Sequence, residues 1–119
     1  MNILDLATKD YRRKISGPPL SIEIPEWKDK ETGEIPVIYY RASMNAIDAG
    51  TVLAAFDSGN QALAVVTTVI VRSLKKDGSK AFKMAERPEI EREVDNNVLN
   101  RIVIEMNSQK ESVEEIKKN

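Results

Sequence analysis

The sequence contains no cysteine and no histidine. Without cysteine there is neither a disulfide framework nor a thiolate zinc site, a pattern that fits a reducing cytosol. Without histidine, the commonest metal ligand and the commonest general base near neutral pH are both missing. Ser-His-Asp and Cys-His nucleophile systems therefore cannot be assembled. Aromatic residues make up only 5% of the 119 residues, so the core has to be built from Val, Ile, Leu, Ala and Met. A charge excess is lacking too: the formal net charge of −1 gives no general attraction to nucleic-acid phosphates. The longest apolar run, over 62–71, is interrupted by Thr67 and Thr68. It falls well short of the ~20 residues that span a bilayer, so no membrane partner is expected. The opening Met1-Asn2-Ile3-Leu4-Asp5-Leu6 meets charge too soon for a signal peptide.

What remains is 41% hydrophobic and 31% charged, which marks a globular chain of one-domain length. Residues 2–14 read as a short helix or a mobile N-terminal arm, ended by Ser16-Gly17-Pro18-Pro19. From Leu20 the period changes to two, with Leu20, Ile22 and Ile24 on one side, until Pro25 limits the run to an edge strand. A polar link with Gly33 leads to a return strand over 37–41, and the pair predicts a β-hairpin. Ser43 reads as an N-cap for a helix carrying Met44, Ile47, Val52, Leu53 and Phe56, in which Gly50 suggests a close helix crossing. Asp57-Ser58-Gly59-Asn60 is a stop and restart.

Residues 61–75 have the β-branched content of a strand but about twice the usual strand length. Gln61, Thr68, Arg72 and Lys75 fall on one narrow helical stripe, so a helix with a wide buried face is the expectation. Asp77-Gly78 is a tight turn, Phe82 is a lone aromatic anchor, and Pro88 can open another helix. Val94, Val98, Ile102 and Met106, spaced by four, give the clearest amphipathic helix. The charged tail over 108–119 is a frayed helical end, with Ser112 and Glu115 as a capping box, or a disordered segment. The expected fold is α+β: a predominantly helical single domain over 20–107 with an N-terminal β-hairpin, preceded by the 1–19 arm.

Little in this chain suggests catalysis. The cluster Glu86, Glu89, Glu91, Glu93 and Asp95 is interleaved with Arg87 and Arg92, which reads as a solvated helix face before a magnesium site. Lys9-Asp10-Tyr11-Arg12-Arg13-Lys14 is the densest basic patch, yet it has no counterpart elsewhere. Asp77-Gly78-Ser79-Lys80 lacks the spacing of a phosphate-binding loop. No enzyme activity, cofactor or metal is expected. Trp27, Tyr39 and Tyr40 differ in kind, because Trp and Tyr combine large area with a polar tip at binding hot spots. Tyr39 and Tyr40 point to opposite faces of a strand, so only one can enter the core.

The order of these features resembles a tail assembly chaperone of a long-tailed bacteriophage. The likeness rests on Ile24-Pro25-Glu26-Trp27, the strand ending in Tyr40-Arg41, the helix start at Ser43-Met44 and a Val-rich helix. Lys75-Lys76-Asp77-Gly78-Ser79-Lys80-Ala81-Phe82 then matches the family's acidic-Gly turn followed by Phe, and Ile104-Glu105-Met106-Asn107 its closing segment. Their order over roughly 20–107 carries the likeness. The resemblance implies a non-enzymatic protein of the host cytoplasm that binds the tape measure protein, recruits tail tube protein subunits and is absent from the mature virion. It also implies a homo-oligomer and a longer form made by ribosomal frameshifting, for which Lys117-Lys118-Asn119 would supply an A-rich slippery run. Helix-in-groove docking then points to Trp27, Tyr39, Tyr40, Val65, Val69 and Phe82 as partner contacts. The alternative is a small cytosolic adaptor or regulator, nucleic-acid-associated through Arg12, Arg13 and Lys14.

Overall fold

The computed structural model describes residues 2–108. The tail expected over 108–119 lies, from residue 109 onward, outside the described residues, and so does its Ser112–Glu115 capping box. Among the described residues the chain forms five helices and a two-stranded antiparallel sheet, the mostly helical α+β arrangement that the sequence predicts.

Helix α1 (Ile3–Ser16) starts where the Asn2 side-chain oxygen accepts from the amides of Leu4 and Asp5. It runs two residues past the expected end at Lys14 and stops before Gly17-Pro18-Pro19. None of its residues is buried.

Strand β1 (Leu20–Glu23) pairs with β2 (Val37–Tyr40), with Ile22 opposite Ile38 and Leu20 opposite Tyr40. The period of two puts Ile22, Ile24, Ile38 and Tyr40 into the core, whereas Leu20 stays exposed at the start of its strand. Pro25, which has no N–H for a ladder, opens a short 3-10 turn ending at Trp27. The other edge of β2 is also occupied: Tyr39 and Leu74 exchange backbone hydrogen bonds of 2.9 and 2.7 Å. Leu74 in turn bridges to Lys80 around the tight turn at Asp77-Gly78, where Gly78 has a φ of 90°.

Helices α2 (Ala46–Asp57) and α3 (Gln61–Arg72) form an antiparallel pair joined by Ser58-Gly59-Asn60. The cap of α2 is Asn45, not Ser43: its extended backbone aims Oδ1 at the Asp48 amide, 2.8 Å away. Met44, expected in this helix, lies outside it. Gly50 marks no close crossing, since a Cβ added there would meet nothing within 4 Å.

The ambiguous segment is helical, as expected, but it ends at Arg72, and Ser73-Leu74 run extended. Its supposed polar stripe is not solvated. Thr68 and Arg72 are buried and Lys75 falls beyond the helix, because α3 packs against three other helices and has little side left for water. Thr68 satisfies its hydroxyl by donating to the Ala64 carbonyl at 2.8 Å.

The C-terminal region makes two helices, α4 (Arg87–Glu93) and α5 (Asn96–Ser108). Pro88 sits in the first turn of α4. The break comes from Asp95, whose side chain accepts from the Asn97 amide at 2.8 Å and starts a new helix. Val94 is therefore not on α5 with Val98, Ile102 and Met106. The core gathers between the hairpin, α3 and α5, with Ile24, Val69, Ile102 and Met106 fully buried. Arg101 of α5 clamps the hairpin side with a two-pronged contact to Glu26 at 2.6 and 3.0 Å, and reaches Glu105 at 3.0 Å.

Candidate functional site: the outward face of the second helix

Helix α2 is apolar on every side. Ala46, Ile47, Ala49, Val52, Leu53, Ala54, Ala55 and Phe56 leave only Asp48, Thr51 and the terminal Asp57 as polar members. Four alanines favour the helix intrinsically. The three-residue link to α3 fixes which side turns inward, and Val52 and Ala55 are its buried residues. The remainder faces out: Ile47 is 81% exposed, Leu53 61% and Phe56 48%. With Gly50 they recur every three residues and form a ridge along the helix. A helix apolar all round is normally enclosed by other elements. Here one side has no cover among the described residues.

Helix α1 also presents apolar residues, with Ile3 78%, Leu4 69% and Leu6 50% exposed. Its C-terminal half, through Tyr11 and Ile15, borders a cleft shared with Met44, Asp48 and Leu74.

The residues singled out from the sequence are distributed differently. Tyr40 and Val69 are 1% and 0% exposed and act in packing. Trp27, Val65 and Phe82 are half-buried against the core, while Tyr39 is half-buried on the opposite face of β2 from Tyr40. The apolar residues of α2, which recur at helical spacing in the sequence, divide between core and surface: Val52 is buried, while Ile47, Leu53 and Phe56 face out. The detectable signal was the near absence of polar residues from that helix, which provides no natural solvent side.

The charged motifs stay on the surface. Asp10 pairs with Arg13 and, at 3.1 Å, with Lys14, which offsets part of the basic run on α1. Arg87 pairs with Glu91 at 3.5 Å across one turn of α4. Asp95 serves as a helix cap. Among the described residues no three carboxylates converge as metal ligands, and no helix is long and apolar enough to cross a membrane.

No family model, curated protein or solved structure matches this chain.

Proposed function

We propose that the protein is a protein-binding module that receives apolar helical segments on the outer face of α2. The observation that carries this reading is the solvent-facing ridge of Ile47, Leu53 and Phe56 on a helix with no polar side. Burying such side chains against a partner is favourable by about 25 cal/mol for each Å² of apolar surface removed from water. Regularly spaced aliphatic and aromatic residues suit an amphipathic helix laid alongside.

The resemblance in motif order narrows the module to a tail assembly chaperone of a long-tailed bacteriophage. In that role it holds the tape measure protein in the host cytoplasm, recruits tail tube subunits and leaves before the virion is complete. Self-association and a frameshifted longer form belong to the same proposal. A tape measure protein is long and helical, so one ridge that accepts many similar helices fits the task. Co-expression with a tape measure fragment is expected to yield a soluble complex. Failure to associate at micromolar concentration overturns the assignment.

A further inference from the structure

Arg72, at the end of α3, is a cation only 6% exposed. Its guanidinium donates to the Asn107 side-chain oxygen at 3.2 Å and to the Arg41 carbonyl at 2.9 Å, and it lies 5.7 Å from the centre of the Tyr40 ring. Among the described residues its Nε has no hydrogen-bond partner. All of these neighbours are neutral, and among the described residues no carboxylate forms an ion pair with it. Burial lowers its pKa, an effect that the nearby Tyr40 opposes. An uncompensated buried charge is costly unless something pairs with it.

Arg72 lines a cleft of about 360 Å³ together with Arg41 and Lys80. Among the described residues the one carboxylate in the lining is Asp48, 3.9 Å from the Lys80 ammonium. Three cations and one anion thus contribute to the lining, with Arg41 also donating to the Gly17 carbonyl and Lys80 to the Val71 carbonyl. The same lining includes the apolar side chains of Ile15, Met44 and Leu74. The combination suits an anionic group carried on an apolar stem. Asp48 offsets one of the three positive charges, and the apolar lining suits a carboxylate on an aliphatic stem better than a free inorganic anion.

We propose that this cleft binds a carboxylate presented by a partner polypeptide, with the anion among Arg41, Arg72 and Lys80 and its stem against Ile15, Met44 and Leu74. The first turn of α2 joins the two surfaces, since Asp48 borders the cleft and Ile47 begins the apolar ridge. A helix on the ridge can therefore place a Glu or Asp in the cleft. That the carboxylate belongs to a partner rests on the docking role proposed above; the anion site does not.

Two capped amphipathic peptides test the proposal on the full chain, identical except for one Glu in the first and Gln in the second. The Glu peptide is expected to bind about tenfold more tightly, the scale of one charge-assisted hydrogen bond. The advantage should vanish in Lys80→Gln and Arg41→Gln, which leave the buried Arg72 in place. Sodium acetate, against sodium chloride at equal ionic strength, should shift the Arg72 Nε–H resonance. Equal binding of the two peptides overturns the cleft proposal and leaves ridge docking intact. An acetate shift with neither peptide binding keeps the anion site and overturns the partner as its source. Tighter peptide binding after Glu111, Glu114 and Glu115 are all changed to Gln identifies the chain's own acidic segment as the occupant and overturns the partner assignment.

Discussion

At the scale of single residues, the interior carries a few polar groups that packing alone does not explain. Thr67 is 3% exposed and its hydroxyl has no hydrogen-bond partner among the described residues, unlike Thr68 one residue on. An unsatisfied buried hydroxyl costs folding free energy. Thr67→Val is therefore expected to raise stability by about 1 kcal/mol, read as a higher urea midpoint at unchanged m-value. Glu26 behaves oppositely, since its partner is strong. The hydrogen bonds from Arg101 hold its carboxyl below the ordinary value of 4.5, with burial acting weakly in the other direction. The unfolded chain then binds the proton more readily than the folded one. Its stabilising contribution is complete above about 4.5 and disappears as pH falls through the depressed folded value. Urea unfolding as a function of pH should show this loss in the native protein, and Glu26→Gln should remove that part of the slope. Asp77, lowered by its hydrogen bonds from Ser79, adds a similar acid-side loss that persists in the Glu26 variant.

At the scale of elements, local chemistry reads well from sequence and burial reads poorly. The hairpin was legible because alternation is a strict rule and one face of the sheet is covered. Tyr40 enters the core and Tyr39 does not, yet the period of two shows only that they must differ. The segment after Gln61 was legible as a helix from its length, but its orientation was not. Thr68 and Arg72 look like solvent markers in isolation. They are buried because α3 is enclosed by α2, α4 and α5, a circumstance that depends on contacts distant in sequence. The division between α4 and α5 follows from one side-chain oxygen on Asp95 that competes for a backbone amide. The outer face of α2 was hidden for a related reason: an all-apolar helix gives no sign of which side meets the core. Gly50 lies on that outer face with open space around it. Gly50→Ala should stabilise the protein by about 0.5–1 kcal/mol through helix propensity alone. Gly50→Arg should leave the fold intact and interrupt the ridge, so thermal denaturation and partner binding respond in different directions.

At the scale of the whole molecule, the fold combines a closed core with open apolar surface. The inward sides of the hairpin, α3 and α5 pack together, with Ile24, Val69, Ile102 and Met106 fully buried, and the Glu26–Arg101 clamp ties the hairpin to α5. By contrast, α1 buries no residue, and among the described residues α2 is covered on one side alone. The exposed side chains of these two helices contribute little to the stability of the single chain. They can change without loss of the fold, which separates docking from folding experimentally. The same separation applies to the cleft lined by α1, the start of α2 and the segment around Leu74, whose cations Arg41 and Lys80 are more accessible than Arg72.

The most direct measurement is the affinity of the purified full chain for a helical tape measure fragment, compared between the native protein and the Leu53→Lys, Phe56→Ser double variant. Both positions point outward, so the melting temperature of the variant should stay near that of the native protein. A loss of affinity of about a hundredfold or more is expected, the scale of a few kcal/mol from a buried hot spot. Unchanged affinity in a variant that remains folded would contradict the account: the outer face of α2 would then not be where the partner binds.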